Sequence, residues 1–316
     1  MLATTRGRLI YKAGTGRFEK GTRTDTTRNP LQGDQRHPRL SDDPERSSKS
    51  PFSDWAGAFS DSTLSPEQQQ RLFHRRISTR LPDSVVGRHL AFACIADDGG
   101  YFFCKVDAGD QHPARAAEWL SSRLARHVGL PTADCAIIED LVDGTDYFGS
   151  KRLPSISDRF AVADFLDQPH RDELGQIGSF PGQFLAMLRA FDLFIDNPDR
   201  GHDNFVLTRD GLQTNLCPID FASARLFDCT TDRFPVAGER TNFVGNFHQR
   251  VHGRHLESAV EMLDRIAAVP ASTVNNFLNE MPESWLSDQK RGNFYEFWSD
   301  DRKEQRLKNL HIALSG

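Results

Sequence analysis

The sequence predicts an α+β fold in which a strand-rich segment precedes a mostly helical one. Three observations carry this. Between residues 84 and 153 the apolar runs are short and come in pairs around Asp-Gly turns. One stripe of helical spacing separates the two pairs, and beyond Pro154 the apolar spacing becomes that of helices. The resulting division is a basic, disordered tail over 1–62, a helical lead-in over 63–80, a β-rich part over 81–154 and a helical part over 155–316.

The elements follow in order. From Met1 to about Asp61 no period of 2 or 3.6 is visible among Thr, Arg, Ser, Gly, Pro and Asp, which is the composition of a disordered segment. Ser65-Pro66-Glu67 reads as an N-cap with proline at the first helical position, opening a helix over Gln68 to Arg76. Arg88–Ile95 and Tyr101–Val106 read as strands joined by Asp98-Gly99-Gly100. A helix from Pro113 to Val128 carries the stripe Ala117, Leu120, Leu124 and Val128, and it stops at Gly129-Leu130-Pro131. Cys135–Val142 and Asp146–Leu153 form a second hairpin about Asp143-Gly144. Phe184, Leu188, Phe191 and Ile195 share one face of a helix that ends before Asn197-Pro198. A hairpin of Phe205–Thr208 and Leu216–Phe221 interrupts the helices, which resume at His255–Ile266 and near the C-terminus.

Composition narrows the functional classes. With 38% hydrophobic and 26% charged residues, 316 residues can bury a sizeable core. The longest apolar run, Leu90 to Ala96, is far too short to span a bilayer, so no membrane insertion is expected. The net charge of -5 is uneven. Residues 1 to 80 hold 15 Lys+Arg against 9 Asp+Glu, and the remainder holds 24 against 35, so contact with nucleic acid is expected only through the tail. Five cysteines, mostly in apolar runs and with no C-x-x-C pair, together with an N-terminus lacking a secretory apolar region, point to a reduced cytoplasmic protein with packed thiols. His248, His252 and His255 could share a helical face, but no Cys or carboxylate stands at a matching spacing, and they read as a solvated basic helix start.

The chemistry gathers at one hairpin. Asp199-Arg200-Gly201-His202-Asp203-Asn204 precedes its first strand, and Pro218-Ile219-Asp220-Phe221 closes its second. Antiparallel pairing about Asp210-Gly211 brings Asn204 and Asp220 to the open end. A carboxylate and an amide oxygen there suit a hard divalent cation such as Mg²⁺, which completes its shell with phosphates and water. Asp199, five residues before Asn204, is then free to orient a nucleophile. In the first hairpin Lys105 shares a strand face with Tyr101 and Phe103, and Glu118 lies about 100° from the helix stripe, so both charges are expected at the edge of a core.

This constellation resembles the protein-kinase and phosphoinositide-kinase superfold, and more closely the bacterial HipA-like kinases. The resemblance is carried by Tyr101-Phe102-Phe103-Cys104-Lys105-Val106, by Ala117-Glu118 through His127-Val128-Gly129-Leu130-Pro131, and by Phe191 to Asn204 with Asp220. Tyr147-Phe148-Gly149-Ser150 and Met281-Pro282-Glu283-Ser284-Trp285 belong to it as well, so that it covers roughly residues 85 to 310. It implies a two-lobed protein-kinase-like fold, with a β-rich N-lobe, a mostly helical C-lobe and ATP between them. It implies Lys105 on the nucleotide phosphates with Glu118 as its partner, Ser150, Lys151, Arg152 and Leu153 as the hinge beside adenine, Asp199 as the catalytic residue, and Asn204 with Asp220 on Mg²⁺. The implied reaction is phosphoryl transfer from ATP to a hydroxyl of an unidentified protein substrate. A nucleotide-binding pseudokinase and a lipid or small-molecule kinase are the alternatives. The sequence departs from the kinase pattern twice: only Gly87 stands where many kinases have a Gly-rich loop, and Ala222 replaces the glycine of DFG.

Overall fold

The computed structural model of the chain describes residues 72–81, 89–107, 109, 112–154, 158–171, 174–175, 178–210, 213–228 and 239–316. The tail over 1–62, Gly87 and Cys229 lie outside the described residues.

Five strands close a barrel in the order β1-β2-β3-β5-β4: β1 His74–Arg80, β2 Leu90–Ala96, β3 Tyr101–Lys105, β4 Cys135–Asp140 and β5 Thr145–Lys151. Both Asp-Gly hairpins form where the turn residues place them. β2 pairs antiparallel with β3, and β4 with β5. Period-2 alternation then sorts the side chains. Phe92, Cys94, Phe102, Cys104, Ala136, Ile138 and Tyr147 fill the barrel, while Lys105 and Phe148, opposite one another in the β3/β5 register, face outward. Gly149 is paired with both Cys104 and Ala136, and a Cβ there would collide with Ile138, so the closed barrel needs a glycine at this place.

Residues 74–80 correct the expected helix. Its cap falls outside the described residues, and His74 to Arg80 are a strand. Ile77 and Thr79 are β-branched, and β1 lies antiparallel to β2 on one side and parallel to β4 on the other. It covers two edges that would otherwise expose unpaired amides and carbonyls.

Helix α1, Ala114–His127, covers the outer face of the barrel at Lys105 and Phe148. Asp107 supplies its missing cap by accepting from the Arg115 backbone amide at 2.9 Å. Gly129, at φ +86°, ends it as the sequence predicts. Trp119 reaches from α1 into the helical part, donating from Nε1 to the Phe277 carbonyl at 3.1 Å and packing edge-on against Trp285. One continuous core therefore runs from Ile137 and Phe148 through α1 into the helices.

In the helical part α2, Arg159–Asp167, is capped by Asp158. The largely buried α3, Gly182–Phe194, packs against α4 Arg240–His252, α5 Leu256–Ala267 and, beyond α6 Ala271–Asn279 and α7 Asp288–Ser299, against α8 Asp301–Ser315. Strands β6 Phe205–Asp210 and β7 Gln213–Pro218 make the expected hairpin. No helix among the described residues is long and apolar enough to cross a membrane.

The histidines differ from expectation. His248 and His252 are buried, not solvated. His248 stacks on His202 with 3.3 Å between Nε2 atoms, and His252 Nε2 donates to the Leu166 carbonyl at 2.7 Å. Among the described residues no group of three or more His, Cys, Asp or Glu is placed to hold a metal. Cys94, Cys104 and Cys217 are buried and Cys135 half-buried, and burial pushes the thiols of Cys135 and Cys217 up to about 11 and about 12, as inert packing requires.

Candidate active site

Lys105 and Glu118 lie inside the core rather than at its edge. Lys105 ends β3 with its side chain against α1, and Glu118 sits in the second turn of that helix. The ammonium donates to Glu118 Oε2 at 2.9 Å and to Asp220 Oδ1 at 2.8 Å. Burial disfavours the lysine's charge, but the two carboxylates outweigh it and hold its pKa above the ordinary value. For Glu118 burial wins over Lys105, and its carboxyl stands above the usual range. Asp220 stands below it, because the Lys105 charge outweighs burial.

Asp220 lies just beyond β7 at φ +62°, in the left-handed region that residues other than glycine rarely adopt. That backbone turn sends its carboxylate toward Lys105 across the chain. Its side chain is 47% exposed, whereas those of Lys105 and Glu118 are 10% and 4%. The triad's exposed member, Asp220, faces the open side.

The loop between α3 and β6 is held by a buried network. Asp192, in the apolar helix α3, accepts from Arg200 Nε at 2.8 Å, from Arg200 Nη2 at 3.0 Å and from Asn197 Nδ2 at 2.8 Å. Arg200 Nη1 reaches on to the carbonyls of Ile219 and Asn204 at 2.5 and 3.1 Å, and its guanidinium lies 4.7 Å over the Phe221 ring. One arginine therefore fastens the Asp199 loop to the strand that delivers Asp220.

Asn204, buried in a single 3₁₀ turn, accepts at its carbonyl from the Ile219 amide at 2.9 Å, so it stands at the hairpin mouth one residue from Asp220. Asp199 is 52% exposed and accepts at Oδ1 from Arg240 Nη1 at 3.2 Å. Ser150 pairs with Phe103, two residues along β5 from the partner of Lys105, and the exposed Lys151 and Arg152 with the half-buried Leu153 lead out of the sheet. These four touch neither the triad nor Asp199 by any hydrogen bond among the described residues. Ala222, at the glycine position, is buried, and its carbonyl accepts from His112 Nε2 at 2.5 Å.

Asp192, Arg240, Thr241 and His112 escape the sequence reading. Asp192 alone left a signal, a carboxylate in the middle of an apolar helix, which needs a buried cation.

The donor set fits Mg²⁺ and a nucleotide. One half-exposed carboxylate and one amide at a strand mouth are what a small hard cation takes when phosphates and water complete its octahedron. The adjacent buried ammonium suits the phosphates themselves.

The model of the HipA-like kinase family matches residues 77–310. Among solved structures the chain resembles the proinflammatory kinase CtkA of Helicobacter pylori, with 10% identity and a TM-score of 0.51 over 75% of this chain and 95% of that one. At that identity the likeness is one of fold. A chain of the Shewanella oneidensis MR-1 toxin–antitoxin complex of HipA, HipB and operator DNA is similar over 74% of this chain and 65% of its own, with 12% identity and a TM-score of 0.41. None of the curated proteins matches the sequence. The family match extends from the strand that closes the barrel to the last helix, and the chain belongs to the HipA-like kinase family.

Proposed function

We propose that the chain is a Mg²⁺- and ATP-dependent kinase of two lobes, the barrel with α1 and the helical part, that phosphorylates a serine or threonine hydroxyl on a protein. The observation that carries the reading is the Lys105 ammonium bridging Glu118 on one element and Asp220 on another. A buried cation shared by two carboxylates, one of them half exposed, is costly to fold and useful to a polyphosphate.

In this reading Lys105 binds phosphate oxygens, and Glu118 keeps it from collapsing onto Asp220 alone. Asp220 and Asn204 hold the metal. Ser150 to Leu153 flank the adenine, with Arg152 packed 5.2 Å from the Tyr101 ring. When bound, ATP would supply the phosphoryl group, and the Mg²⁺ held by Asp220 and Asn204 would offset the negative charge of its phosphates. Asp199 orients the acceptor hydroxyl and takes its proton as the new O–P bond forms and the β,γ-bridging bond breaks.

The test separates the two carboxylates. Asp220→Asn and Asn204→Ala are expected to weaken Mg²⁺-dependent ATP binding in calorimetric titration. Asp199→Asn is expected to leave that affinity within a few-fold and to lower transfer by roughly 10²- to 10⁴-fold. Full transfer by Asp199→Asn, or no effect from any of the three, refutes the assignment and leaves a nucleotide-binding pseudokinase.

A further inference from the structure

Gly201 has no backbone reason to be glycine. Its φ of -126° and ψ of 176° are open to any residue. What it lacks is room: a Cβ there would overlap Cζ, Nη2 and Nε of Arg240. Between Asp199 and Asp203 the loop thus presents bare backbone as the seat of one guanidinium. From that seat the fork spans both carboxylates, with Nη1 3.2 Å from Asp199 Oδ1 and Nη2 2.9 and 2.8 Å from the two oxygens of Asp203.

The start of α4 is stitched to the same loop on either side of Arg240. Thr241 donates from Oγ1 to the Asn197 carbonyl at 2.5 Å, accepts from the Arg200 amide at 2.9 Å, and donates its own amide to the Pro198 carbonyl at 3.3 Å. Arg225 ties Glu239 to Asp196 through contacts of 3.2 Å. Arg240 itself is 42% exposed, and Asp199 and Asp203 are 52% and 74% exposed, so the ion pairs add little to stability. The geometry is more elaborate than a surface ion pair needs.

We propose that Arg240 is a positioning residue for Asp199. Anchored by Asp203 and seated on Gly201, it fixes Oδ1 of the Asp199 carboxylate and turns Oδ2 toward the acceptor hydroxyl. The proposal rests on the reading of Asp199 given above. It predicts a loss in turnover that is not a loss in nucleotide binding, because the Lys105, Glu118 and Asp220 triad is built from other elements and Asn204 is held at its carbonyl by the Ile219 amide and Arg200 rather than by Arg240.

Gly201→Ala is the informative variant. It alters no charge and suits the local backbone, yet its methyl group pushes the flexible end of Arg240 off its seat. The full chain is assayed with γ-labelled Mg-ATP, reading transfer to the chain itself and to water, beside calorimetric Mg-ATP titration and amide hydrogen exchange without nucleotide. Gly201→Ala and Arg240→Ala are each expected to lower kcat by about 10- to 100-fold, the scale of misplacing a reacting group by about 1 Å. Mg-ATP affinity stays within a few-fold, and exchange over residues 199–203 rises. Arg240→Lys, a cation without the fork, recovers part of the loss, and Asp203→Asn added to Arg240→Ala costs nothing further. Wild-type kcat in Arg240→Ala or Gly201→Ala overturns the proposal, as does unchanged exchange, or a fall in Mg-ATP affinity matching the fall in kcat. Where Asp199→Asn is inactive and Arg240→Ala is not, only the role of Arg240 falls; where Asp199→Asn retains full transfer, the reading of Asp199 falls with it.

Discussion

Lys105 and Glu118 are 8% and 3% exposed, so each charge depends on the other for its place in the core. Removing the lysine alone leaves a carboxylate buried without its cation, which costs about 3–5 kcal/mol in comparable sites. Lys105→Met is therefore expected to lose both activity and stability. Adding Glu118→Gln to Lys105→Met relieves the stranded charge. That double variant is expected to regain much of the melting temperature and none of the activity; equal melting temperatures for single and double variants would show that the pair is not energetically coupled. His248 carries the opposite lesson. Burial, helped by His202, His252 and Arg189, lowers its pKa from 6.5 to about 3. Between those two values the unfolded chain takes up a proton that the fold refuses. The stability contribution is thus complete above about pH 6.5 and declines as pH falls toward 3, by up to a few kcal/mol. Melting curves recorded from about pH 7 to about pH 4 are expected to fall more steeply for the wild type than for His248→Phe. Parallel curves would contradict this.

At the scale of elements, the hairpins and helix stops were legible because their signals are local. Asp98-Gly99-Gly100 and Asp143-Gly144 turn where expected, and Gly129 takes the positive φ that ends α1. Strand β1 was not legible. An N-cap signature is equally local, but whether His74 to Arg80 become helix or strand depends on two open strand edges, one of them about 60 residues away, as the pairing of His74 with Ile137 shows. Closure makes a clean prediction. A chain beginning at residue 61 is expected to unfold cooperatively and bind Mg-ATP as the full chain does, while one beginning at 82 lacks β1, exposes the edges of β2 and β4, and loses the cooperative transition. Cooperative unfolding of the shorter chain, followed by calorimetry, would show that the barrel does not need its closing strand. The helix α3 falls between these cases. Its apolar face was readable from Phe184, Leu188 and Phe191, but the role of Asp192 on it required Arg200 to be seen folding back.

For the whole molecule, residue types at short spacing determined the two hairpins of the barrel with the helix between them, the change to helices beyond them, the pairing within each hairpin and the convergence of Asn204 with Asp220, but not the closing strand β1. The resemblance carried by Lys105, Glu118, Asp199, Asn204 and Asp220 led to the family that the match over residues 77–310 shows. Only the tertiary structure decided how deep the charges lie. It put Lys105 and Glu118 inside the core, buried histidines that their spacing left to solvent, and seated Arg240 on Gly201 beside Asp199. The physical reason lies in the range of each effect. Turn chemistry and side-chain periodicity act over a few residues and leave their mark in the order of the letters. Desolvation and ion pairing depend on which distant segments exclude water from the same place: Lys105 meets Asp220 from 115 residues away, and Arg240 meets Asp199 from 41.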